Sequence, residues 1–213
     1  LAFSRFLVRR SKQLHRTGNF AMTVGRAPLI WALDIATVTG FAVGRVGEKP
    51  KAHAIRFAPV GGTSDALFAG CYEWFLETLE RAEHPDILAI EELLPPIARR
   101  GATNTQTQHR LAGLHGIIRA MARHAQIPET VSANVLDVRQ HFIQARNLPR
   151  DEAKRAVLST CKLLGWAAAD DNCGDALALW SYTAGLINPA SALQTTPLFS
   201  SWEDVARARE SKR

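Results

Sequence analysis

Asp34, Glu91 and Asp175 each stand beside strongly apolar neighbours: Leu33 and Ile35 for the first, Ile90 for the second, and Ala176-Leu-Ala-Leu179 for the third. Carboxylates rarely occupy such surroundings unpartnered, because burying an uncompensated charge is costly. Two arrangements relieve the cost: a hard divalent cation held by oxygen ligands, or a buried Arg or Lys partner. Local spacing alone leaves both open. Zinc chemistry is a poor fit, because the histidines lack metal-ligand spacing and Cys71, Cys161 and Cys173 are far apart with no C-x-x-C arrangement. Three dispersed thiols also argue against a disulfide framework and for a reducing compartment, so the expected location is cytoplasmic.

The elements needed to bring these acids together can be read from apolar patterning. An apolar run at 28–35 ends on an acid, and the β-rich stretches 38–46 and 51–57 follow across tight turns, which predicts an antiparallel three-strand meander. Gly61-Gly-Thr-Ser64 punctuates the chain and offers a helix N-cap. From 65 to 82, Leu67, Phe68, Cys71, Trp74, Phe75 and Leu79 fall on one helical face, as core packing requires. A fourth strand, 86–91, again ends on an acid. A second helix over 105–125 turns Leu111, Leu114, Ile118 and Met121 inward, and Gly113 and Gly116 suggest close approach of another element. A short strand at 130–132 and helices at 134–143, 150–164 and 175–186 complete the series. The expected architecture is α/β: a mixed sheet flanked by helices.

The 213 residues suffice for one domain with a substantial core. No apolar stretch approaches the length of a membrane span, so no membrane association is expected. The net charge of +6 is matched by Arg5, Arg9, Arg10, Lys12, Arg16 and Arg26, which stand in an acid-free start. The rest of the chain is balanced, so the high pI is weak evidence that the domain itself binds nucleic acid. Residues 1–26 read as a basic, disordered tail, with a transit peptide, a nucleic-acid-binding arm and an upstream extension ahead of Met22 as the alternatives. Residues 27–187 form the expected domain, and 188–213 a linker with a charged terminal segment.

Four segments in order resemble one family. Leu33-Asp-Ile-Ala-Thr-Val-Thr-Gly-Phe-Ala-Val43 resembles the first motif of the RuvC-type Holliday junction resolvases, in which a strand carrying Asp turns to a Gly and a second strand. Ala89-Ile-Glu-Glu92 resembles their second motif, and Asp170-Asp-Asn-Cys-Gly-Asp-Ala-Leu-Ala-Leu179 their last. Between these, Val138-Arg139 and Arg146-Asn-Leu-Pro-Arg-Asp-Glu-Ala-Lys154 resemble the basic segment leading into a helix. The similarity runs from about Ile30 to Leu186.

The resemblance implies a ribonuclease H-like fold and a homodimer that cleaves branched DNA, four-way junctions above all, with two magnesium or manganese ions per site. It implies that Asp34 bridges the cations while Glu91 and Asp175 complete their shells, in a two-metal hydrolysis leaving 5′-phosphate and 3′-hydroxyl ends. Many relatives carry two aspartates three residues apart in the last motif, whereas here Asn172 precedes Asp175 by three. The fourth ligand is then Asn172 or Asp171, and the competing role for Asp170 or Asp171 is to cap the helix. Glu92 reads as a solvated neighbour of Glu91. The resemblance places Lys154 and Arg139 near scissile phosphates, the alternative being that they are solvated helix charges. Arg99, Arg100, Asn104 and Gln106 line the DNA path or decorate a surface loop. Dimers of the family pair through the helix after the second motif, here the one containing Leu114, Gly116 and Met121.

A different class sharing this fold, the actin-like sugar kinases and ATPases, begins with a similar turn, and Asp34-Ile-Ala-Thr37 is similar to its phosphate loop. That reading lacks a second Gly-rich loop and leaves Asp175-Ala-Leu-Ala without a role. A DNA-binding module with an inactive site is a third reading, which Asn172 permits.

Overall fold

The computed structural model describes residues 25–93 and 105–189. The basic tail before residue 25, the chain from 190 onward, and Arg99, Arg100 and Asn104 lie outside the described residues.

Ten elements follow one another: β1 (Leu29–Asp34), β2 (Val38–Arg45), β3 (Lys51–Arg56), α1 (Ser64–Arg81), β4 (Ile87–Glu91), α2 (Thr105–His124), β5 (Glu129–Ala133), α3 (Val135–Ile143), α4 (Arg150–Leu163) and α5 (Asp171–Ile187). The strands form one sheet in the order β3-β2-β1-β4-β5. β1, β2 and β3 pair antiparallel as the expected meander, while β4 runs parallel to both β1 and β5. The mixed α/β sheet flanked by helices is therefore present.

Side chains alternate across a strand, so each sheet face has its own core. Trp31, Leu33, Leu88 and Ile90 pack with Leu67, Cys71 and Phe75 of α1 and Leu114, Ile118 and Met121 of α2. The opposite parity, Ile30, Ala32, Ala42, Ile87 and Ala89, packs with α5 and with Val138, Phe142, Val157 and Cys161 of α3 and α4. Small residues dominate this second face, and α5 lies on it across β1, β2, β3 and β4. An apolar circumference is what a helix so enclosed requires: Leu177, Ala178, Leu179 and Trp180 are successive residues and all buried.

Thr63 caps α1, its side chain accepting from the Ala66 amide, as the Gly-Gly-Thr-Ser stretch suggested. The two glycines of α2 differ. A Cβ on Gly113 would lie 2.3 Å from the Phe68 ring of α1, so close approach is real there, whereas one on Gly116 would meet nothing within 4 Å. Leu114 and Met121, on the helix through which a dimer was expected, are buried in this chain's own core, whereas Gly116 is exposed on the outward side of α2. The last helix also starts earlier than expected. Asp170 is its N-cap, accepting from the Cys173 amide at 2.8 Å, so Asp175 sits beyond the first turn rather than at the helix start.

Candidate active site

Asp34 ends β1 and Glu91 ends β4, on adjacent parallel strands whose register pairs Leu33 with Ile90. Both have the parity of the α5-facing core residues, so both project toward the helix that carries Asp175. A tight turn fixes the end of β1: the Thr39 hydroxyl donates to the Ala36 carbonyl at 2.8 Å and accepts from the Ala36 amide at 3.3 Å. On α5, the Asp170 cap sets the helix phase that aims Asp175 back at the sheet.

The electrostatics report how the three acids meet. The Asp34 carboxyl is raised to about 7, first by burial and then by the charge of Asp175, with Lys154 opposing. Glu91 is raised to about 8 by burial and by the charges of Asp34 and Asp175, with Arg139 opposing. Burial also raises Asp175, against the pull of Lys154, Arg139 and Arg150. All three are half-buried, and burial is the largest cause of each shift. Asp34 feels the charge of Asp175 and Glu91 feels both, yet among the described residues no three acid, histidine or cysteine side chains close into a ready-made cation cage. Like charges oppose closer approach, and closure would require a compensating positive charge.

The donor set fits magnesium or manganese. It is all oxygen, it is anionic, and both burial and mutual repulsion make a divalent cation favourable there.

The fourth-ligand candidates have other partners. Asp171 forms an ion pair with Lys154, while Asp170 takes the capping role. Burial works against Asp170, but hydrogen bonds from Cys173 and Asn172 hold its carboxyl below the usual range, so Asn172 belongs to the capping turn. Glu92 is exposed, as its strand position suggested. Lys154 and Arg139 both lie within electrostatic reach of the acids, whereas Gln106 is exposed in the first turn of α2. Arg150, the first residue of α4, joins them through Asp175. So does Cys161, whose thiol is pushed up to about 11 by burial and by the Asp175 charge. Neither carries a local signal that separates it from other Arg or core Cys residues.

A five-stranded mixed sheet in this order, flanked by helices on both faces, is the ribonuclease H-like fold. The structure of Thermus thermophilus RuvC superposes with a TM-score of 0.56 at 18% identity, over 77% of this chain and 98% of that one. T. thermophilus RuvC in complex with Holliday junction substrate gives 0.57 at 18% identity, over 78% and 98%. The yeast mitochondrial Holliday junction resolvase Ydc2 gives 0.52 at 12% identity, over 78% and 81%. No family model and no curated protein matches the sequence. Among the described residues no helix is long and apolar enough to cross a membrane.

Proposed function

We propose that this chain is a metal-dependent endonuclease that resolves four-way DNA junctions, acting as a homodimer. One observation carries the reading: Asp34, Glu91 and Asp175, scattered along the sequence, come together at one end of the sheet, where Asp175 raises Asp34 and both raise Glu91, with Lys154, Arg139 and Arg150 around them. The likeness to structures of junction resolvases supports the substrate class and does not favour the actin-like alternative.

In this reading Asp34, Glu91 and Asp175 hold two magnesium or manganese ions, with Asn172 or Asp171 contributing if the capping turn rearranges. Bound there, the cations would lower the pKa of the attacking water and stabilise charge on the leaving 3′ oxygen. The protein's part is positioning. β1 and β4 fix two carboxylates side by side, and α5 brings the third onto the same face. Lys154 and Arg139 supply positive charge where a phosphodiester must approach three acids, which would otherwise repel it. The ends left would be 5′-phosphate and 3′-hydroxyl. Two-fold symmetry of a junction calls for two such sites related by a two-fold axis, hence the dimer.

The test is incubation of the protein with labelled four-way, three-way and flap DNAs, with and without magnesium, mapping cuts on each strand. Paired symmetric cuts in the four-way junction that vanish in EDTA are expected. Absence of cleavage on every branched substrate, with magnesium and manganese both tried, would overturn the reading.

A further inference from the structure

Gly40 is the cross-strand partner of Asp34 in the β1–β2 ladder, and it faces α5. A Cβ added there would lie 2.0 Å from the Asn172 carbonyl oxygen, 2.6 Å from the Asn172 carbonyl carbon and 3.1 Å from the Ala176 Cβ. Asn172 and Ala176 sit on α5 either side of Asp175. The strand backbone opposite one acid is thus in direct contact with the helix backbone bearing another. Conformation does not demand glycine here, since Gly40 is not among the positive-φ residues. Only the helix does.

We propose that Gly40 is a positioning residue for the cleavage proposed above, on which this inference rests: its missing side chain sets the gap between Asp34 and Asp175. The two atoms nearest the absent Cβ are backbone atoms, so no rotamer change relieves the clash. Restoring van der Waals contact would move the first turns of α5 off the sheet by about 1 Å. A displacement of that size at a reacting centre costs about a hundredfold in rate.

The fold contains a control. Gly44, four residues further along β2, also faces α5, and a Cβ there would meet the Pro50 Cα at 2.9 Å and the Trp180 ring at 3.3 Å. Gly44→Ala therefore disturbs the same strand and the same helix, but beside Trp180 rather than the carboxylates. A merely structural role for Gly40 predicts that both substitutions lower the melting temperature and neither changes cation binding selectively.

The experiment measures manganese affinity by calorimetry and junction cleavage against magnesium concentration, on the full chain, for wild type, Gly40→Ala and Gly44→Ala. Gly40→Ala is expected to lose about tenfold or more in manganese affinity, as disturbed supports of metal ligands do, and about a hundredfold in maximal cleavage rate. Gly44→Ala should keep both close to wild type while melting lower. If Gly40→Ala does not fold, Ala176→Ser enlarges the same contact from the helix side and should weaken manganese binding in the same direction. Wild-type affinity and rate in folded Gly40→Ala, or in Ala176→Ser where that stands in for it, or equal losses in the two glycine variants, would overturn the positioning role alone. A wild type that neither binds manganese nor cleaves would instead remove the functional reading, and the inference with it.

Discussion

Lys154 on α4 reaches the carboxylate of Asp171 in the first turn of α5, and the same ammonium lowers the charge cost of both Asp34 and Asp175. One lysine thereby ties the helix before the site to the helix that carries the third acid. Gly174 allows the approach: a Cβ there would lie 3.1 Å from Val157 and 3.2 Å from Leu158 of α4.

Because this pair is part-buried rather than enclosed, its own contribution to stability should be small, about 1 kcal/mol or less in a double-mutant cycle of Lys154→Met and Asp171→Asn. Its effect on the site should be larger. Lys154→Met removes the cation opposing the rise of Asp34, so that carboxyl should titrate at still higher pH and the alkaline rise of the cleavage profile should move upward. Asp171→Asn leaves Lys154 free for phosphate and should bind junctions at least as tightly as wild type. Asp171→Asn abolishing manganese binding would instead make Asp171 a ligand.

Asp34→Asn, Glu91→Gln and Asp175→Asn should each reduce cleavage by about a hundredfold or more, the scale seen when one stabilising group of a preorganised site is lost. Junction binding, measured by mobility shift in EDTA, should persist in all three, since each substitution removes negative charge from a surface that must accept DNA. Robust magnesium-dependent cleavage by any variant would remove that residue from the site.

The strands of the meander, and β4 with Glu91 at its end, were legible because apolar runs bounded by turn residues report local structure directly. The start of α5 was not. In Asp170-Asp-Asn-Cys-Gly the polar residues and the glycine look like loop, and which aspartate caps is decided by the helix docking on β1 and β2. The fourth-ligand question stayed open for the same reason, since the Lys154–Asp171 pair joins two helices. Gly113 and Gly116 make the point most plainly. They are identical in type and three residues apart, yet one touches Phe68 and the other nothing, which propensity cannot distinguish.

That contrast gives a prediction on stability and assembly. Gly113→Ala would press its methyl against the far end of the Phe68 ring, which must turn aside, so it should melt lower than Gly116→Ala. Gly116→Ala meets open space in the protomer and should gain close to 1 kcal/mol of helix propensity. If the outward side of α2 is the dimer contact, Gly116→Leu should weaken dimerisation in sedimentation experiments while leaving the monomer folded. A Gly116→Leu dimer as tight as wild type would place the contact elsewhere.

The raised carboxyls fix how stability should depend on pH and on cations. Asp34 and Glu91 titrate at about 7 and about 8 in the folded chain, well above ordinary carboxyls in an unfolded one. Between about pH 4 and pH 8 the folded state therefore holds protons that the unfolded state has released. Unfolding then releases protons, so without a cation the stability contributed here is greatest below the unfolded carboxyl range and falls as pH rises through the folded values. Asp34→Asn and Glu91→Gln remove a group that must be kept protonated or pay for its charge. Each should melt higher than wild type at pH 8 in EDTA, and its melting temperature should fall less between pH 5 and pH 8. A bound cation reverses the sign, because ligands must be deprotonated to hold it, so manganese affinity should rise over the same interval. At a hundred times its dissociation constant the ion should add about 2.7 kcal/mol to the wild type, and much less to Asp34→Asn. The measurement is a set of melting curves at pH 5, 6, 7 and 8, each with EDTA and with manganese. Identical curves with and without the ion at pH 8, together with an Asp34→Asn variant that melts lower than wild type, would mean that the three acids do not share a cation.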